Sequence, residues 1–142
     1  NIKEIASILQ NDVFEVEASN EVLGVEICGI VKNAMAIIMG YNSIKTHYWN
    51  EKSMILTKCF QELSKILAYF GCDKSILQLS CGIGDIFLTC STVNSRNFKF
   101  GANFANGIKN SSETVEGIRS FEFINKLPIE IPTLKSYAKA VT

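Results

Sequence analysis

Hydrophobic and polar positions along this chain follow a helical period almost throughout. Residues 2–9 set Ile2, Ile5, Ala6 and Leu9 on one helical face, whereas residues 13–17 (Val-Phe-Glu-Val-Glu) switch to the two-residue alternation of a strand. A nearly unbroken apolar stretch over residues 21–40 predicts a buried helix, with Ser19 or Asn20 as its cap. Asn50 is placed to cap the next helix, on which Met54, Ile55, Cys59, Phe60, Leu63, Ile66, Leu67 and Phe70 trace a wide apolar face that Gly71 ends. Asp73 can cap a short helix to Leu79, and Gly82 and Gly84 punctuate before a turn carrying residues 85–90. Asn94 or Ser95 opens a helix through Phe104, closed by Asn106 and Gly107. After a polar loop at 109–112, a helix from about Glu113 to Lys126 is broken by Pro128 and Pro132, and a last helix runs over 133–141. With one strand and no partner for it, the body reads as all-α.

At 142 residues the chain has the length of one domain with a substantial core, and 47% hydrophobic with 20% charged residues is the balance of a globular domain. A net charge of zero gives no global field favouring nucleic acid or anionic lipid. The five cysteines include no closely spaced Cys-x-x-Cys pair and there is a single histidine, His47, which argues against a disulfide framework and against a metal site. These thiols read as reduced and mostly buried in a cytoplasmic protein. The apolar residues 22–39 are long enough to raise the question of a membrane span, but Glu26, Lys32 and Asn33 interrupt them, so no span is expected.

Lys32 is the first candidate for chemistry. Inside an apolar helix its ammonium must be paired or reach water, and burial can lower a lysine pKa until it exchanges protons near neutrality. Taken alone, a side chain snorkelling along an apolar surface is the commoner explanation. Glu26 shares a helical face with Asn33 while Lys32 lies about a quarter-turn away, so Glu26 is not an obvious partner for the lysine.

The context of Lys32 is distinctive. Its own run, Gly-Val-Glu-Ile-Cys-Gly-Ile-Val-Lys-Asn-Ala at residues 24–34, is followed by Gly-Ile-Gly-Asp-Ile-Phe-Leu-Thr-Cys at 82–90, Ser-Arg-Asn-Phe-Lys-Phe-Gly at 95–101 and Val-Glu-Gly-Ile-Arg at 115–119. In order and approximate spacing, from about residue 23 to 137, these blocks resemble the C-terminal, substrate-binding domain of NAD(P)-dependent glycerol-3-phosphate dehydrogenase. The resemblance implies an all-α helical bundle of the 6-phosphogluconate dehydrogenase C-terminal-like type over residues 19–142. Residues 1–18 would then be the trailing edge of a preceding Rossmann domain, their strand torn from its sheet. It implies NAD or NADP as cofactor, glycerol 3-phosphate and dihydroxyacetone phosphate as substrates, and a role in phospholipid synthesis.

Residue by residue, the resemblance makes Lys32 the proton-exchanging group and Asp85 its catalytic neighbour, a carboxylate that would favour the charged lysine against desolvation. Without it, Asp85 is a helix cap or surface carboxylate after a glycine turn. Asn33, Thr89, Ser95, Arg96 and Asn97 are implied substrate contacts, the last three gripping the phosphate; Arg96 and Glu116 are implied at the cofactor. Each has a plainer reading: Thr89 bonding back to a helix carbonyl, Ser95 capping a helix before a solvated arginine, Glu116 as an exposed first-turn carboxylate. Arg119 is left outside the site.

The chain also departs from the pattern. Residues 41–49 replace a glycine-rich stretch, Thr57-Lys58-Cys59 stands where the family has Thr-Arg-Gly, the segment 107–111 is shorter by about two helical turns, and the last helix stops early. No Gly-x-Gly-x-x-Gly follows a strand, so this stretch carries no dinucleotide fingerprint and by itself is expected to be an inactive fragment. Two other readings stay open: the helical domain of another two-domain reductase of the ketopantoate or 2-hydroxyacid type, and a non-catalytic helical dimerisation module. Oligomeric state is not legible, a homodimer included.

Overall fold

The structure, a computed structural model, describes residues 1–108 and 116–142. The expected loop at 109–112 and the first residues of the helix expected from Glu113 lie outside the described residues. The described part is all-α, and among the described residues there is no strand. Helices α1 (Ile2–Leu9), α2 (Val22–Lys45) and α3 (Trp49–Tyr69) are followed by a 3-10 turn at Lys74–Gln78 and a single π-helical turn at Ser80–Gly84. The chain then continues through α4 (Asp85–Ser91), α5 (Arg96–Ala105), α6 (Glu116–Lys126) and α7 (Pro132–Val141).

The strand expected at residues 13–17 does not form. The Asn11 carboxamide accepts the N–H groups of Val13 and Phe14 at 3.0 and 3.1 Å, and the backbones of Asn11 and Phe14 exchange hydrogen bonds, closing a tight turn where the alternation suggested extended chain. A strand needs a neighbour for its N–H and C=O groups, and the helices of the body offer none. The Glu17 carboxylate instead accepts the backbone N–H of Ser80, and the Ser80 side chain first and its backbone second lower the pKa of Glu17. Two expected caps also differ. Glu21 occupies the cap position of α2 without a side-chain bond, and Ser19 Oγ accepts the Glu21 N–H outside the helix. Asn50 lies within the first turn of α3, whose cap position is Tyr48.

The predicted boundaries at Asp73, Ser95 and Gly71 hold. Asp73 accepts the Ser75 N–H, Ser95 accepts the Phe98 N–H, and α3 ends through Gly71 at φ +73° with Cys72 N–H bonded to Leu67 C=O. Helix α2 runs five residues beyond the expected end at Gly40, because Gly40 is a packing position and not a terminator. An added Cβ there would stand 2.0 Å from the Phe98 carbonyl oxygen, and one at Gly101 would stand 2.0 Å from the Ile37 carbonyl oxygen. The two backbones of α2 and α5 are therefore nearly in contact.

Around α2 pack α3, α4, α5 and α6, and α7 closes over α3 and α6. Val31, Ala34, Met35, Ile37 and Ile38 are sealed against Leu63, Ile66, Leu67, Phe121 and Ile124. Although α2 is long and apolar enough to cross a membrane, it is the central core helix here, enclosed by its neighbours. The buried carboxylate of Glu62 accepts the N–H groups of Thr133 and Leu134, each at 2.8 Å, and so caps the start of α7 from α3. In contrast, α1 buries none of its residues.

The α2–α5 approach leads to a stability prediction. Gly101→Ala is expected to destabilise the protein by about 3 kcal/mol or more, since the added methyl meets backbone that cannot yield. Gly29→Ala, with nothing within 4 Å of the new Cβ, is expected to stabilise α2 by about 0.5–1 kcal/mol. Urea unfolding of both variants checks this, and equal midpoints would show that the two helices are not in tight contact.

Candidate active site

Lys32 lies on the α2 surface covered by α4 and forms an ion pair with Asp85, the first residue of α4. Asp85 reaches it because the π-helical turn at Ser80–Gly84 runs directly into α4, and Gly82 lets that turn press on residues 76 and 77. The pair is half-sheltered, with side-chain exposures of 22% for Lys32 and 37% for Asp85. One of the three ammonium donors goes to Asp85, and Glu26 is exposed and takes no part. The Thr89 hydroxyl lies 2.6 Å from the Asp85 carbonyl oxygen and 3.2 Å from Asp85 Oδ1, so its one proton serves either the helix backbone or the carboxylate.

Asn33, the next residue of α2, opens a second set of contacts. Asn97 Nδ2 donates to Asn33 Oδ1 at 3.0 Å, and the backbone N–H of Gly117 donates to Asn97 Oδ1 at 3.1 Å. Asn33 Nδ2 donates to Glu116 Oε2 at 3.4 Å, and Glu116 Oε1 lies 3.8 Å from an Arg96 guanidinium nitrogen. Gly117 is needed here: a Cβ would fall 2.4 Å from Ile37 Cδ1 and 2.9 Å from the Asn33 carbonyl oxygen. Ser95 caps α5 and thereby places Arg96 at its first position. With side-chain exposures of 72% and 63%, Arg96 and Glu116 form an open rim. Such an exposed pair is worth less than about 1 kcal/mol and yields readily to a competing anion.

The structure thus places Lys32, Asp85 and Thr89 in one set of contacts and Asn33, Arg96, Asn97 and Glu116 in a second, contributed by α2, α4, α5 and α6. The two sets meet where Lys32 and Asn33 are neighbours on α2, and Ser95 caps α5 beside Arg96. Sequence reasoning missed Gly117, whose backbone N–H anchors the two asparagines. A glycine directly after a candidate site residue was the available signal. Chemically, these groups set a proton-bearing amine and its counter-ion beside an amide donor and a rim of one arginine paired with one carboxylate. Among the described residues no group of three or more His, Cys, Asp or Glu is arranged to hold a metal ion.

Fold and cluster together define an all-helical domain that presents a lysine–aspartate pair next to an arginine-bearing, anion-ready edge. The family described as NAD-dependent glycerol-3-phosphate dehydrogenase C-terminus matches residues 21–137. Among curated relatives, the glycerol-3-phosphate dehydrogenase [NAD(P)+] of Malacoplasma penetrans is 33% identical over 144 residues, covering 95% of this chain and 43% of the relative. That of Methanothermobacter thermautotrophicus is 34% identical over 138 residues, covering 94% and 43%. A crystal structure of glycerol-3-phosphate dehydrogenase from Coxiella burnetii superposes with a TM-score of 0.89 at 26% identity, covering 98% of this chain and 46% of that one. The chain belongs to the NAD-dependent glycerol-3-phosphate dehydrogenase C-terminal family, and it spans less than half the length of these relatives.

The thiols have environments of their own. Burial first, then the Asp85 carboxylate, pushes Cys90 up to about 12, with Lys32 pulling slightly the other way. Burial, then Cys81 and Cys72, pushes Cys28 up to about 11, and burial also raises Cys59. All three stay protonated at neutral pH and are sealed from solvent, whereas Cys81 is partly exposed. Brief treatment with iodoacetamide at pH 8 is therefore expected to modify Cys81 first and to leave Cys28, Cys59 and Cys90 intact until denaturant is added. Peptide mass spectrometry reads the order, and early labelling of Cys59 or Cys90 would contradict it.

Proposed function

We propose that the protein carrying this chain is a cytoplasmic NAD(P)-dependent glycerol-3-phosphate dehydrogenase that interconverts dihydroxyacetone phosphate and sn-glycerol 3-phosphate for phospholipid synthesis. In this reading residues 19–142 form its substrate-binding domain, and residues 1–18 lead from a dinucleotide-binding domain in the rest of the protein. The observation that carries it is the half-sheltered Lys32–Asp85 pair held beside Asn33, Arg96 and Glu116. A helical module that had kept only its fold would not need these groups gathered from four helices.

Reducing a ketone to a secondary alcohol requires a hydride at carbon and a proton at oxygen. The reduced dinucleotide, NADH or NADPH, would supply the hydride when bound. The charged donor and acceptor of the exposed rim, Arg96 and Glu116, suit the phosphate and ribose of such a dinucleotide, while among the described residues there is no strand of a dinucleotide-binding fold. Lys32 Nζ gives its proton to the carbonyl oxygen and, in the reverse direction, takes it from the hydroxyl. Asp85 balances the ammonium charge and holds the side chain in place, and Thr89 steadies Asp85. Asn33 donates to a substrate oxygen. The phosphate replaces Glu116 as the partner of Arg96 at the start of α5, where Ser95 and the free N–H groups of the first turn add to its attraction for anions.

In the whole enzyme, Lys32→Met keeps the length and apolar stem of the side chain but carries no exchangeable proton. Turnover is expected to fall about a hundred- to ten-thousandfold while substrate binding persists. Retention of more than about a tenth of the rate would remove Lys32 from this role.

Arg96→Ala tests the phosphate grip separately. A charge-assisted hydrogen bond is worth roughly 1.5–3 kcal/mol, which corresponds to about a ten- to hundredfold rise in the apparent constant for dihydroxyacetone phosphate. Activity toward phosphate-free dihydroxyacetone is expected to fall much less, by the loss of the cofactor contact alone, and equal losses on both would remove Arg96 from the substrate phosphate.

A further inference from the structure

The hydrogen bonds around Asn33 have a direction, and that direction starts at a backbone group that cannot be reversed. The Gly117 N–H can only donate, so the Asn97 atom 3.1 Å from it must be the carbonyl oxygen. Asn97 then has to present its NH₂ to the other side, where it meets Asn33 Oδ1 at 3.0 Å. This consumes the acceptor of Asn33 inside the protein and leaves the Asn33 NH₂ to face the rim, where it meets the Glu116 carboxylate at 3.4 Å. Asn97 is 8% exposed and both its polar atoms are bonded within the protein, whereas Asn33 is more exposed and bonded on its outer side to an acceptor.

Resting on the reading given above, we infer that Asn97 is a positioning residue: through the polarity it inherits from the Gly117 N–H, it locks Asn33 as a hydrogen-bond donor toward the bound ligand. An unconstrained asparagine would present a donor or an acceptor at similar cost. In this arrangement the outward face is a donor only, which suits a phosphate or carbonyl oxygen and rejects a ligand that itself needs to donate. The carboxylate of Glu116 occupies the place of such an acceptor when no ligand is bound. Among the described residues, the charged groups around Asn33 are Lys32 on the same helix, Asp85 on α4, Arg96 on α5 and Glu116 on α6.

Asn97→Asp tests this with an isosteric change. The introduced carboxylate still accepts the Gly117 N–H but has nothing to donate, so Asn33 turns its NH₂ inward and its carbonyl outward. In the whole enzyme, kcat/KM for dihydroxyacetone phosphate relative to wild type is expected to fall about ten- to hundredfold at pH 8, the loss of one hydrogen bond to a charged group. The ratio should recover as pH falls and the introduced carboxyl regains a proton to donate to Asn33. The surrounding charged groups are common to both proteins and cancel in that ratio. A ratio near one throughout, or a loss that does not change with pH, would overturn the inference.

A second readout does not depend on turnover. Inorganic phosphate should shift the Asn33 side-chain amide resonance in the wild-type protein and leave it unmoved in Asn97→Asp at pH 8. If Lys32→Met proves active yet this contrast is seen, the proposed reaction falls and the positioning role stands. If both proteins respond alike, the positioning role falls by itself. Should Asn97→Asp fail to fold, Asn33→Asp keeps the inner bond and replaces the outward donor with a charged acceptor. It is expected to weaken phosphate binding at least tenfold, and unchanged binding would overturn the inference.

Discussion

The close approach of α5 and of the first turn of α6 to α2 is the constraint on which the rest of this structure depends. Backbone nearly touches backbone where Gly40 meets Phe98 and Gly101 meets Ile37, and Gly117 is pressed on Ile37 and the Asn33 carbonyl. Such contacts remove the layer of side chains that normally separates helices by 8–10 Å. The consequence for chemistry is reach. Asparagine is a short side chain, and Asn33 and Asn97 bridge two helices only because those helices lie this close. The same packing draws the Gly117 N–H into contact with Asn97, so a steric device for the core also orders the polar groups at its edge.

A second theme is the gradient of exposure across the cluster. Lys32 and Asp85 sit where solvent is partly excluded, and their mutual attraction is strengthened by the weaker screening there. Arg96 and Glu116 stand in water, where their attraction is weak and readily exchanged for that of an incoming anion. Under the proposed function, a site that holds a proton donor in fixed geometry and admits a charged substrate would benefit from that division. The apolar character of α2 serves both ends: it seals the core beneath Lys32 and leaves the ammonium only one nearby counter-charge among the described residues.

Much of the cluster was legible in the chain because its residues come in short blocks. Lys32 and Asn33 are adjacent, as are Ser95, Arg96 and Asn97, and Asp85 and Thr89 are one helical turn apart. The pattern of apolar positions also gave the helices and most of their ends, since caps such as Asp73 and Ser95 and terminators such as Gly71 act locally. Where local reading failed, a competing interaction was responsible. The alternation at residues 13–17 was overridden by the Asn11 turn and by the lack of a neighbouring strand, and Gly40 looked like a helix end because its packing partner lies far along the chain.

The sequence by itself therefore determined which segments are helical and which helix is the core, because periodicity and capping are properties of neighbouring residues. Its short blocks carried the resemblance that singled out the candidate site residues. Only the tertiary structure decided that Lys32 pairs with Asp85 and not with Glu26, that Glu62 caps α7 from another helix, and that Asn97 turns its amide toward Asn33 while its oxygen faces Gly117. Those are contacts between groups tens of residues apart. Hydrogen-bond polarity and ion pairing fall off within a few ångströms, so they are set by how closely the helices pack.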